Sequence, residues 1–160
     1  MYSMETKPQR LPAKELLAFF DAVVQHEMRL WDELDQAVLL VAGVRLGSFQ
    51  VLRMVAQREG QGRVGDVAAD LGVTVGAVSK IVDRLVDRGL VARRRHHEDG
   101  RSSLLAATAT GEAALSGGLD TMTRALSSHL DARLGPDDRQ AALTLLTALA
   151  NPVRDSQDPS

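Results

Sequence analysis

The chain has 160 residues, 44% of them hydrophobic and 25% charged, with a net charge of −2, five aromatics and no cysteine. These values fit one globular domain, or a small domain with an added helical module, and they exclude a disulfide framework, a thiolate metal site and thiol-based redox sensing. The N-terminus has no apolar run behind a basic cluster, and the longest apolar run, Ala37 to Val44, is far short of the roughly 20 residues a membrane helix needs, so a cytoplasmic protein without a membrane partner is expected.

The charges are unevenly placed. Residues 48–110 carry ten Arg or Lys against seven Asp or Glu, whereas the rest of the chain carries nine against fourteen. A basic middle between acidic ends suits a nucleic-acid-reading core on a dimerising support, a reading that charge by itself does not decide.

Residues 1–11 are polar and expected to be disordered. From Pro12 the pattern is helical, with Leu16, Phe19, Val23, Leu30, Leu34 and Val38 on one stripe and Leu17, Phe20, Val24, Met28 and Trp31 on another. Two stripes make a face too wide for packing on one side only, so this helix is deep in its own core or shared with a second subunit. Gly43 and Gly47 punctuate its end, and Ser48 is placed to cap a second helix running to about Arg58, with Phe49, Leu52, Met54 and Val55 inward. Gly60-Gln61-Gly62 reads as a loop and residues 64–71 as a short helix. Gly72-Val73 reads as a turn, and residues 74–88 as a longer helix capped by Thr74 and stopped by Gly89. Residues 90–97 and 102–108 read as the strands of a hairpin, with the turn at Glu98-Asp99-Gly100-Arg101. After Gly111 a long helix follows, with Leu115, Leu119, Met122, Leu126, Leu130 and Leu134 on one face. Gly135-Pro136 breaks it before a last helix over about 137–150, and residues 151–160 are expected to be disordered.

Residues 64–85 have the layout of a helix-turn-helix. Ala68 is small where two helices approach, Gly72 can take the positive φ of a sharp turn, and Val78 and Ile81 anchor the second helix. That helix then presents Val75, Ala77, Ser79, Lys80 and Arg84 outward, where a major groove could receive them; an ordinary helical hairpin is the competing reading. The run Arg93-Arg94-Arg95-His96-His97, with Asp99-Gly100-Arg101 at the tip, makes a basic projection beside the reading helix. Phosphates need such charge and a narrow minor groove attracts arginine, although a charged edge strand can also serve only to prevent aggregation.

The stretch Arg63 to Arg94, with Val67-Ala68-Ala69-Asp70-Leu71-Gly72-Val73 and Val82-Asp83-Arg84-Leu85-Val86-Asp87-Arg88-Gly89-Leu90-Val91, resembles the core of the multiple antibiotic resistance regulator (MarR) family. Asp99-Gly100-Arg101 is similar to that family's Asp-x-Arg wing signature, and Thr108 and Gly111 to the threonine and glycine after its second wing strand. The resemblance covers about residues 12–150. Ala107 departs from it, standing where the family usually has leucine, as does Gly76, where a polar or larger residue is common.

The resemblance implies a mainly α fold with a small β-hairpin wing (α+β), a winged helix-turn-helix head on a helical dimerisation frame. It implies a homodimer joined by residues 12–47 and 111–150, with the DNA-binding region at 48–110. The dimer would sit on a pseudo-palindromic site in double-stranded DNA, often with a small aromatic or phenolic effector between head and joint. Repression is the expected sense of regulation. The DNA-binding candidates are Ser48, Thr74, Val75, Gly76, Ala77, Ser79, Lys80, Arg84, Arg93, Arg95, Asp99 and Arg101. Val75-Gly76-Ala77 can touch thymine methyls and bring the backbone close to the bases. Ser79 and Lys80 offer polar contacts, Arg84 suits phosphate, and Arg101 the minor groove, with Asp99 orienting Arg101 or Arg93. A winged-helix protein-interaction module without DNA binding is the alternative, and the retained Lys80, Arg84, Arg95 and Arg101 argue against it.

No clustered acid–base groups suggest an enzyme, and no cofactor is expected. His26, His96, His97 and His129 include no pair at the i, i+4 spacing of a helical metal site. Trp31, Met28, Met54 and Met122 could line an effector pocket, although apolar residues at such spacing more often form core.

Overall fold

The computed structural model describes residues 10–95 and 103–150. Six helices and one hairpin follow in the order α1 (Ala13–Ala42), α2 (Leu46–Gln57), α3 (Val64–Leu71), α4 (Val75–Asp87), β1 (Val91–Arg95), β2 (Ser103–Ala107), α5 (Ala109–Asp131) and α6 (Pro136–Ala150). This is the expected mainly helical fold with a two-stranded antiparallel wing. No single helix among the described residues is long and apolar enough to cross a membrane.

The core lies in the head. Phe49, Leu52 and Val55 of α2, Val67 and Ala68 of α3, Val78, Val82 and Leu85 of α4, and Val91 and Leu105 of the hairpin are buried together. Removing this much branched apolar surface from water is the main force holding the small head together. The buried residues of α1, Leu34, Val38 and Ala42, all lie in its last third, with Leu30 packed partly against the core before them, and α6 has no buried residue within the chain. The two apolar stripes of α1 therefore remain largely uncovered over its first two turns and beyond.

The first helix ends at Gly43, whose positive φ closes the helix through its amide to Leu39. Gly47, in contrast, lies inside α2. The second helix begins at Leu46 with Arg45 at its N-cap position, so Ser48 sits within the first turn and is not the cap expected from its side chain. A residue from the previous helix has taken that role: the Leu46 amide donates to Asp35 Oδ1 at 2.6 Å, and Arg45 pairs with Asp35 Oδ2 at 2.6 Å. These bonds, the Leu46 amide first, hold the Asp35 carboxyl below its ordinary pKa. Asp35→Ala should therefore cost about 1–2 kcal/mol near neutral pH, because a helix-end amide loses its acceptor. A carboxylate with a depressed folded-state pKa stabilises fully above its unfolded value and less as pH falls through the lowered one. Urea unfolding should thus show the gap between wild type and Asp35→Ala narrowing below about pH 4; a gap unchanged in acid would contradict this role.

In the hairpin, Val91 faces Ala107, Arg93 faces Leu105 and Arg95 faces Ser103. The Leu105 amide donates to Gly62 at 2.8 Å, pinning β2 to the loop after α2. The long helix starts two residues before Gly111, at Ala109. Thr108 caps it, its hydroxyl accepting from the Gly111 amide at 3.0 Å and donating to the Gly89 carbonyl at 2.6 Å. One threonine thereby joins the start of α5 to the end of the helix-turn-helix.

Candidate nucleic-acid interface

Helices α3 and α4 form the helix-turn-helix at the positions expected. Gly72 holds φ at 65°, and its left-handed turn lets α3 close before the chain reverses. Thr74 caps α4, its side-chain oxygen accepting from the Ala77 amide at 3.2 Å. Val78, Val82 and Leu85 seat α4 on α2 and α3, and Ile81 is only half-buried beside them. The opposite face is open: Thr74, Val75, Gly76, Ala77, Lys80 and Arg84 are exposed and Ser79 is half-buried. Arg84 Nε donates to the Lys80 carbonyl at 3.2 Å, which lays its guanidinium along its own helix. Ser48 is half-buried at the start of α2, in the cleft between α1, α2 and α4 that Arg84 also lines.

Several other arginines act as struts between elements. Arg58 of α2 pairs with Asp70 of α3 at 2.6 Å. Arg88, just past α4, donates through Nη1 to the Gly43 carbonyl at 2.6 Å, tying the end of α4 to the end of α1. Arg93 pairs with Asp83 of α4 at 2.6 Å. Arg94 is exposed on the other face of β1. Arg95 closes β1 by its backbone, while its side chain, and the whole of Asp99 and Arg101, lie outside the described residues.

Sequence reasoning missed three contacts because they join distant positions: Asp83 with Arg93, Arg88 with Gly43, and a buried His129 whose Nδ1 lies 2.8 Å from Glu33 Oε2, linking α5 to α1. The His26 ring stands edge-on to His129 at 5.2 Å. Among the described residues no three His, Asp or Glu are grouped as a metal site would require.

Between α1 and the head lies a cavity of about 300 Å³, walled by Trp31, Val51, Leu71, Val73 and Ile81 and carrying Gln50 and Arg53. Gln50 Oε1 and Arg53 Nε are buried without a hydrogen-bond partner among the described residues. Of the four candidates for an effector pocket, Trp31 lines this cavity. Met28 joins Trp31 in a shallower cleft on α1, and Met54 and Met122 pack against the core.

The MarR family model matches residues 45–103, from the first residue of the α2 cap to the start of β2. No curated protein sequence matches the chain. Sco3205, a MarR family transcriptional regulator from Streptomyces coelicolor solved in complex with DNA, is similar at 22% identity over 95% of each chain, with a TM-score of 0.78. The Mycobacterium tuberculosis MarR family protein Rv2887, solved with p-aminosalicylic acid, is 28% identical over 88% of this chain and 100% of its own, with a TM-score of 0.62. CouR from Rhodococcus jostii RHA1, solved with p-coumaroyl-CoA, is 23% identical over 83% of this chain and 92% of its own, with a TM-score of 0.68. Residues 45–103 match the MarR family model, and the chain is similar in fold to solved MarR family regulators.

Proposed function

We propose that this chain is a sequence-specific transcription regulator, a repressor, that binds double-stranded DNA as a homodimer and releases it when a small aromatic or phenolic effector binds. The observation that carries the reading is the open face of α4. Val75, Gly76, Ala77, Lys80 and Arg84 have no packing role, while Thr74, Val78, Val82 and Leu85 hold the helix out. Short apolar groups at the start of α4 fit thymine methyls, and the cations behind them fit phosphate. Two relatives lend support: Sco3205 was solved on DNA, and CouR, a transcriptional repressor, on a 23-mer duplex.

A second copy is the partner that α1 and α6 call for. Phe19, Phe20, Leu143, Leu145, Leu146 and Leu149 are more than half exposed in the single chain, a density of apolar surface that marks an interface. Selection of bound duplexes from a random pool should then return two inverted half-sites about one helical turn apart. A pool that enriches nothing would favour the protein-interaction alternative.

The effector reading rests on the cavity beneath Trp31. Its apolar walls suit an aromatic ring, and Arg53 and Gln50 suit the ring's polar or anionic substituent. A ligand there would touch α1 and α4 together and so could favour one head spacing over another. Rv2887 with p-aminosalicylic acid and CouR with p-coumaroyl-CoA lend support from their own ligands. Trp31 is the only tryptophan, so titration with p-aminosalicylic acid should quench its emission saturably. Arg53→Ala should weaken that response about tenfold, as expected for loss of one charged hydrogen bond. An unchanged titration would place the effector elsewhere.

A further inference from the structure

We infer that Asp83 is a positioning residue for DNA reading, one that fixes the wing strand β1 against the recognition helix α4 by holding Arg93; the inference rests on the DNA-binding reading above. Asp83 stands beside Arg84 and one turn after Lys80 on an exposed part of α4. A free carboxylate there would repel a phosphate backbone. It is not free: Asp83 Oδ1 accepts from Arg93 Nη2 at 2.6 Å, a charge-assisted bond across two elements.

The strand geometry explains why Arg93 reaches inward. Successive side chains of a strand point to opposite faces. Arg93 shares its face with Val91, two residues before it, and with its cross-strand partner Leu105, both of which are buried. Its side chain therefore leaves the hairpin on the side that meets the core and emerges at α4, whereas Arg94 leaves from the other side.

The pair also supplies a restraint that the backbone lacks. Between α4 and β1 lie only Arg88, Gly89 and Leu90, with Gly89 at a φ of 69° and the Leu90 amide bonded to Leu85 at 2.9 Å. That corner is a single pivot. Asp83 lies more than a turn back along α4, so its bond to Arg93 closes a bracket around the pivot and sets the angle between helix and wing. A protein that reads DNA with both elements depends on that angle for its preference among sequences, more than for its general attraction to DNA.

The test compares the selected operator duplex with a scrambled duplex of equal length, titrated by fluorescence anisotropy. The proteins are wild type, Asp83→Asn, Arg93→Gln, both together, and the charge swap Asp83→Arg with Arg93→Asp. The ratio of operator to scrambled affinity should fall about two- to fivefold in each single variant, the range for an exposed ion pair, and no further in the double. The swap, whose net charge equals that of wild type, should recover part of the ratio. Thermal midpoints should move by less than about 3 °C, since the pair is on the surface. Asp83→Asn tightening both duplexes alike would show that Asp83 only repels phosphate, and losses that multiply in the double variant would show that the residues act separately; either overturns the inference. A wild-type protein that does not distinguish the duplexes overturns the DNA-reading proposal itself, and that arm involves no variant.

Discussion

Gly111→Ala should destabilise the protein by about 3 kcal/mol or more, lowering its thermal midpoint by roughly 6–12 °C. A Cβ at this position would lie 2.0 Å from the Leu90 carbonyl oxygen and 3.4 Å from Leu52 Cδ1. The first contact is with backbone, so no side-chain rotation relieves it. The Leu90 carbonyl is also engaged, accepting from the Thr108 amide at 3.1 Å, in the corner where Thr108 binds Gly89 and caps α5. Overpacking ordinarily costs about 1–3 kcal/mol, and a rigid backbone obstacle belongs at or above the top of that range. Gly76→Ala is the control. No atom lies within 4 Å of a Cβ there and its φ is not positive, so the variant should be more stable by about 0.5–1 kcal/mol, the ordinary helix-propensity gain. Urea unfolding of both variants checks the pair. Equal effects would mean that the corner between Leu90 and α5 can yield.

If two copies pair through α6 as proposed, Leu146→Asp should leave the monomer folded and yield monomers at micromolar concentration. Leu146 is 60% exposed within the chain and helix α6 has no buried residue, so the change touches no packing that one copy makes for itself. With Phe19, Leu145 and Leu149 it lines an almost wholly apolar groove of about 470 Å³ between α6 and the first half of α1. If a second copy fills this groove, a twofold interface contains the leucine twice. Burying a leucine side chain is worth about 1.5–3 kcal/mol, so losing two costs about 3–6 kcal/mol before the penalty for desolvating aspartate. The dimer dissociation constant should rise at least a hundredfold. Sedimentation together with far-ultraviolet circular dichroism separates the outcomes: helical monomers support the joint, dimers contradict it, and loss of helix would mean that α6 is needed for the fold of a single chain.

The elements that were legible in the sequence are those whose signals are local. Gly72 and Gly89 take the positive φ expected of a turn and a helix stop, Thr74 caps the helix it precedes, and the strands expected over 90–97 and 102–108 pair as 91–95 with 103–107 among the described residues. Reasoning from neighbours failed where the partner comes from far along the chain. Ser48 has a capping side chain, but Asp35, eleven residues before Leu46, accepts from the Leu46 amide at the start of α2, where Arg45 is the N-cap and Ser48 falls in the first turn. Arg93 has no carboxylate beside it in sequence to announce a partner, and the closure of the hairpin onto α4 brings Asp83 to it. The long helix expected after Gly111 starts earlier, at Ala109. Here the glycine serves close approach inside the first turn and Thr108 marks the true start. The two apolar stripes of α1 are legible, but no local pattern could show that the fully buried residues lie only in its last third.

The most direct test of the account is the affinity of the wild-type protein for its selected duplex and for a scrambled one across a series of salt concentrations. A winged helix-turn-helix dimer predicts binding to the selected duplex at least about a thousandfold tighter than to the scrambled one, with both affinities falling steeply as salt rises because phosphate contacts release counterions. Equal affinity for the two duplexes, or binding indifferent to salt, would contradict the reading of α4 and its wing as a DNA-recognition surface.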